Sequence, residues 1–435
     1  MPWELVMVLL FGGLLVCLAG GIPVAFALGG MGAISAFVVW GPKGADILAT
    51  TAYNVSTNYV IIAVPLFILM GETAMASGVT GEAYKGMDCT IGRLPGGLAI
   101  AAVGTACIFG AVSGVSIAAC AAVGSMALPE MFKRGYDKGL AIGAVGGGAC
   151  LDILIPPSVL MVIYGLLSNV SIPKLFFAGF VPGFLSAGIF SIYIMVRCTL
   201  NPSLAPYRSK ASLKETMASL SGLAPLLGLI AVVLGTIWFG IATATEAAGV
   251  GALGSIVLAL GYRKLNWRVF KTIMLTTLKM TCMLLFILIG ATLFTQMLAY
   301  QGVAAGMSQA IAGLNIPGWA VIAGTQVLVI FLGCFMDAGS ILMITVPIFV
   351  PVIVNLGYDP LWFGILLMIN SELSTLTPPV GTNIFVLKGV VPEVSFAEIV
   401  RGVMPYWFLH IVVMCLVGVF PQLATWLPSL MKPAG

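Results

Sequence analysis

Long apolar stretches separated by short polar ones set the frame of this chain. Apolar segments run over about 4–19, 22–40 and 60–77, then 97–131, 137–168 and 175–198. A polar loop at about 199–218 follows, then spans at 221–241 and 245–262 and a basic stretch from Arg263 to Lys271. The last four segments are 276–300, 317–354, 361–390 and 404–426. A helix crossing a ~30 Å hydrocarbon core takes about 20 residues, so most of these segments predict single membrane spans. Four are too long for one span and are interrupted. The breaks fall at Ser113-Gly-Val-Ser116, Ile155-Pro-Pro-Ser158, Asp337-Ala-Gly-Ser340 and Leu376-Thr-Pro-Pro379.

Composition makes the solvent a lipid bilayer: 60% of residues are hydrophobic, 8% are charged, and the mean hydropathy is +1.13. Soluble domains carry roughly 25% charged residues. The reading is an all-α integral membrane protein forming one transmembrane domain over 1–435, with its first apolar stretch a span and not a cleaved signal. Enzyme chemistry is poorly supplied. His410 is the sole histidine and the nine cysteines show no CxxC spacing, which removes His-built zinc sites and Ser/His or Cys/His pairs. No Gly-Lys dipeptide occurs, so there is no P-loop. Gly249-Val-Gly-Ala-Leu-Gly254 matches a nucleotide-binding pattern only formally, because it lies inside an apolar span with no strand before it. A net charge of +4 is too small to imply a nucleic-acid partner.

Charge placement decides how the interrupted segments run. If 97–131 and 317–354 are hairpins that enter and leave on one side, most basic residues share a face. These are Lys85, Arg93, Lys133, Arg134, Lys138, Arg197, Arg208, Lys210, Lys214, Arg263, Lys264, Arg268, Lys271, Lys388 and Arg401. Lys43, Lys174 and Lys432 fall on the other. Lysine and arginine concentrate on the cytoplasmic side, so both termini are placed outside and the first hairpin opens from the cytoplasm. The second opens from outside.

Each hairpin is followed by a span broken at Pro-Pro: Gly114 precedes Pro156 by 42 residues (156 − 114), and Gly339 precedes Pro378 by 39 (378 − 339). Paired Gly/Pro-interrupted spans in two halves are the mark of an inverted repeat with its binding site near the midplane. The first repeat is read over about 60–200 and the second over about 276–430, with connecting spans over 221–262. Proline breaks a helix, and in lipid the freed carbonyls must find partners. Sodium ions are such partners, with Ser113, Ser116, Ser340, Thr377 and Asn383 the candidate side chains.

Several motifs carry a family resemblance: Pro65-Leu-Phe-Ile-Leu-Met-Gly71, Gly110-Ala-Val-Ser-Gly114, Ile155-Pro-Pro-Ser158 with Tyr164-Gly165, Ala244-Thr-Glu-Ala-Ala248, Thr377-Pro-Pro-Val-Gly381 with Asn383, and Arg401-Gly-Val-Met-Pro405. In order and across the chain they resemble the large membrane subunit of TRAP (tripartite ATP-independent periplasmic) transporters. The resemblance implies an elevator-type, sodium-coupled carrier of small organic acids in the bacterial inner membrane. It also implies two partners, a small four-helix membrane subunit and a soluble periplasmic binding protein. One ion would sit between Ser113, Gly114, Ser116 and the break before Pro156. Another would sit between Gly339, Ser340 and the segment holding Thr375, Thr377 and Pro378. Substrate contacts fall to Ser116, Asp152, Ser158, Ser340 and Asn383. A standalone sodium/dicarboxylate symporter or an ion antiporter of related architecture is the alternative, distinguished by whether a binding protein is needed.

Two positions depart from the family pattern, which has glycine where this chain has Asp152 and Ser374. An acid at mid-membrane costs about 2.5–3.5 kcal/mol on insertion scales and is a functional hypothesis by default. Asp152 is expected to face the substrate and to favour hydroxyl- or amino-bearing monocarboxylates over bare dicarboxylates. Glu246 and Asp337 are read as helix caps, Glu72 and Glu372 as either structural or site residues, and Lys279 and His410 as structural groups near span ends or facing lipid.

Overall fold

All regular structure among the described residues is helical. The computed structural model describes residues 2–114, 116–206, 213–313, 316–379 and 381–431. The first half runs α1 Trp3–Ala19, α2 Val24–Trp40, α3 Gly44–Ser56, α4 Ala63–Ala76, α5 Val79–Ile91, α6 Gly97–Ser113, α7 Ser116–Lys133, α8 Lys138–Ala149, α9 Val159–Ser168 and α10 Ile172–Leu200. The second runs α11 Leu213–Trp238, α12 Ala244–Gly261, α13 Trp267–Tyr300, α14 Val303–Gly313, α15 Gly318–Gly333, α16 Ala338–Asn355, α17 Pro360–Leu376, α18 Thr382–Val390, α19 Phe396–Val419 and α20 Gln422–Ser429. The apolar pattern anticipates most of these. It misses α3, which lies in a stretch read as polar, and the short α5, α14 and α20.

Among the described residues seven helical stretches are long and apolar enough to cross a membrane, and large hydrophobics such as Leu253 and Val257 stand exposed on their outer faces. A contiguous apolar exterior belongs against lipid; the protein is multi-pass. Small residues let helices close up where no hydrophobic force drives them together. The α2–α13 seam shows this, since a Cβ on Gly290 would meet the Ala25 carbonyl at 2.8 Å and the Gly29 amide at 2.9 Å.

Both interrupted segments of the hairpin type fold back on themselves. The base of α6 returns to the end of α7 through the Leu98 amide, which donates to the Tyr136 hydroxyl (3.3 Å). Arg134 pairs there with Asp88 of α5 at 3.6 Å and with Glu130 at 2.7 Å. In the second hairpin, the start of α15 meets the chain after α16, because a Cβ on Gly318 would strike the Tyr358 ring at 2.7 Å. The two bases lie at opposite ends of the α8–break–α9 element. Asp137, beside the first base, caps the start of α8 by accepting from the Leu140 amide. Near the far end of α9, the Tyr164 hydroxyl donates to the Pro360 carbonyl at 2.5 Å, next to the second base. Opposed hairpins are what the positive-inside count requires. Of the residues in that count, Arg208, Lys210 and Lys432 lie outside the described residues.

His410 does not face lipid: it is 1% exposed inside α19, with its ring stacked on Phe190 at 5.4 Å. Glu246 and Asp337 are caps. Glu246 completes a capping box with Thr243, and Asp337 accepts from the amides of Gly339 (3.0 Å) and Ser340 (3.2 Å).

Candidate functional site

Helix α6 stops because Gly114 takes a left-handed conformation (φ 59°) that an L side chain resists. That turn lays the first hairpin tip on the break between α8 and α9. A Cβ on Gly114 would touch the Val159 amide at 3.3 Å and the Pro157 carbonyl at 3.6 Å. Behind the tip, Gly71 of α4 lies flush against Ser113, where an added Cβ would come within 2.5 Å of its Cα. The second tip approaches the same stretch, with Gly339 beside Leu160. Ser340, in the first turn of α16, has its hydroxyl taken up by the Asp337 carboxylate. Both Pro-Pro bonds, Pro156–Pro157 and Pro378–Pro379, are cis.

Ser113, Ser116, Asp152, Ser158, Thr375 and Asn383 are all buried, though they lie far apart in sequence. The Ser113 and Ser158 hydroxyls have no hydrogen-bond partner among the described residues. The Ser116 hydroxyl donates to the Ala149 carbonyl at the end of α8 (2.9 Å). It accepts from the Asn383 amide nitrogen (2.9 Å), which also reaches the Thr375 hydroxyl (3.1 Å). Glu372 comes within 3.4 Å of Ser116 and neighbours the Asp152 carboxyl. Cys150 closes this group, with its sulfur 3.2 Å from the Thr375 hydroxyl. The break after α8 and the break after α17 therefore cross, and the polar groups freed by one face those freed by the other.

Not every candidate joins this cluster. The Thr377 hydroxyl donates to the Leu373 carbonyl (2.6 Å) and accepts from the Trp407 indole (2.9 Å), so both its functions are already engaged. Pro378 is half-buried. Gly339 and Ser340 sit at the second tip, where Asp337 holds them. Glu372 and Cys150 are the members that sequence reasoning did not select. Glu372 carried a signal as a mid-span acid next to a break, whereas Cys150 carried none.

The two halves match in detail. A Cβ on Gly110 would run into the Cβ of Asp152, and one on Gly333 would meet the Cβ of Ser374 at 2.7 Å. Asp152 and Ser374 each stand four residues before the first proline of their break (156 − 152 and 378 − 374). Asp152 and Ser374 thus occupy equivalent places, each opposed by a glycine of the preceding hairpin.

An all-helical membrane protein with opposed hairpins closing on crossed helix breaks defines a transport protein. The chain belongs to the family described as the tripartite ATP-independent periplasmic transporter, DctM component, whose model matches residues 11–423. It is 34% identical over 406 residues to the C4-dicarboxylate TRAP transporter large permease protein DctM of Pseudomonas aeruginosa, covering 93% of this chain and 94% of that one. It is 29% identical over 421 residues to the sialic acid TRAP transporter large permease protein SiaM of Vibrio cholerae, covering 96% and 97%. The fold is shared with the YdaH transporter of Alcanivorax borkumensis, at a TM-score of 0.62 and 18% identity, over 88% of this chain and 89% of that one. Its sequence relatives are permeases, not enzymes.

Proposed function

We propose that this chain is the sodium-driven translocating subunit of such a transporter, importing a small organic acid across a bacterial inner membrane. In this reading a periplasmic binding protein delivers the substrate, and a small four-helix membrane subunit completes the complex. The carrying observation is the convergence of both hairpin tips on the stretch after Pro156–Pro157, beside unpartnered hydroxyls at Ser113 and Ser158. Hydroxyls and unwound carbonyls suit hard cations, which take oxygen ligands. Ser113, Gly114 and Ser116 would hold one ion against the first break, and Gly339 and Ser340 another against the Thr375–Pro378 segment. Ser116, Ser158, Ser340 and Asn383 would meet the substrate between the tips. Because these groups are enclosed here, substrate exchange requires a tip to lift. The hairpins and broken helices of the repeats over 60–200 and 276–430 would move as an elevator against a wall formed by α1–α3 and α13.

The driving force is sufficient. A potential of ~100 mV is worth about 2.3 kcal/mol per charge, and a tenfold sodium gradient about 1.4 kcal/mol per ion. Two sodium ions per monoanion then supply roughly 5 kcal/mol, enough for accumulation on the order of a thousandfold. The test is uptake into proteoliposomes containing both membrane subunits, with the binding protein outside. Uptake should require an inward sodium gradient and the binding protein. Equal uptake with potassium replacing sodium, at constant potential, refutes sodium coupling; uptake without the binding protein favours a standalone symporter.

A further inference from the structure

We propose that Asp152, Glu372 and the side-chain oxygen of Asn383 hold one sodium ion at the crossing of the two breaks, separate from any ion at the hairpin tips. The proposal rests on the sodium-driven reading above and deepens it.

All three side chains are 0% exposed, and their free atoms are acceptors. Both Asp152 oxygens, Glu372 Oε1 and Asn383 Oδ1 lack a donor among the described side chains, although buried polar atoms in folded proteins are nearly always paired. Asn383 is oriented by its other end, since its nitrogen is spent on the Ser116 and Thr375 hydroxyls that flank Glu372. Its oxygen is thereby held at the same cluster with nothing to accept.

Charge points the same way. Two fully buried carboxyls, Asp152 and Glu372, neighbour each other here. Among the described residues neither carboxyl takes part in an ion pair; those that occur join Lys85 to Glu82, and Arg134 to Asp88 and Glu130. An isolated buried charge is too costly to persist without a partner. A single monovalent cation offsets negative charge at these carboxyls and takes several of the unpartnered oxygens at once. A divalent ion fits less well, because no three His, Cys, Asp or Glu side chains gather among the described residues, and calcium takes six to eight oxygens. Asp152 and Asn383 are then cation ligands and not substrate contacts. Since Asp152 comes from the first break and the other two residues flank the second, the ion would tie the two repeats together.

The experiment counts radioactive sodium bound per large subunit in the purified membrane complex in nanodiscs, with choline as the replacing cation. It compares wild type with Asp152→Asn, Asp152→Gly and Glu372→Gln. Each variant should bind one sodium ion fewer than wild type while retaining the others, and the retained ions report that the variant is folded. An unchanged count in Asp152→Asn and Glu372→Gln overturns the proposal, as does an unchanged count with altered substrate preference, which would make the carboxyls substrate ligands. If wild type binds no sodium at all, the sodium-driven reading fails with it. If transport is sodium-dependent and the count is unchanged, only the present inference falls.

Discussion

The matched approaches of Gly110 to Asp152 and of Gly333 to Ser374 predict an unequal pair of substitutions. In Gly110→Ala the new methyl meets the Asp152 Cβ and also its Cα at 2.6 Å, and a backbone atom cannot swing aside. In Gly333→Ala it meets the Ser374 Cβ at 2.7 Å and the Cα at 3.1 Å, so most of the obstruction is side chain. Overpacking costs roughly 1–3 kcal/mol, against about 1 kcal/mol of helix propensity gained by alanine. We expect a net loss of about 2 kcal/mol for Gly110→Ala and about 1 kcal/mol for Gly333→Ala. At roughly 2 °C per kcal/mol for a large domain, the melting midpoint in sodium-free choline buffer should fall by about 4 °C and 2 °C. Double variants sharpen the test. Ser374→Gly should restore nearly all the stability of Gly333→Ala, whereas Asp152→Gly should restore only part of that of Gly110→Ala, since the clash with the backbone at 152 survives. Coupling between touching residues runs from about 0.5 to 3 kcal/mol, well within reach of thermal unfolding in nanodiscs. A neutral Gly110→Ala, or equal rescue in both pairs, would refute the close-packed geometry of the breaks.

Two further outcomes are expected. In a cysteine-free background, Lys85→Cys and Lys138→Cys flank the first hairpin, and both should resist an impermeant thiol reagent added from outside. Labelling of one alone would mean that 97–131 crosses the membrane. Asp337→Ala removes the cap of α16 and should cost about 1 kcal/mol, read as roughly fivefold faster amide exchange over 339–341, with Asp337→Asn keeping most of the protection; unchanged exchange in the alanine variant would show that the cap does not hold the second tip.

The linear order of apolar and polar residues determined both hairpins and both breaks, because these follow from local rules. Proline cannot donate within a helix, glycine admits the left-handed turn at Gly114, and twenty apolar residues match a bilayer. The basic residues give an expected sidedness for the same reason: each acts through its own position relative to the membrane. What met at the centre was decided elsewhere. Ser116 lies 256 residues from Glu372 and 267 from Asn383, and nothing in the local pattern joins them. Helices that are apolar on every side carry little periodicity to tell an inward face from a lipid face, so the burial of His410 was invisible, as was the engagement of Thr377 by Trp407. Asp152 was legible as a costly acid at a helix break, but its partner was not. Only the crossing of the two breaks places Glu372 opposite it, because the close approach of glycine-lined helices, and not the residues flanking either acid, sets which buried groups must satisfy each other.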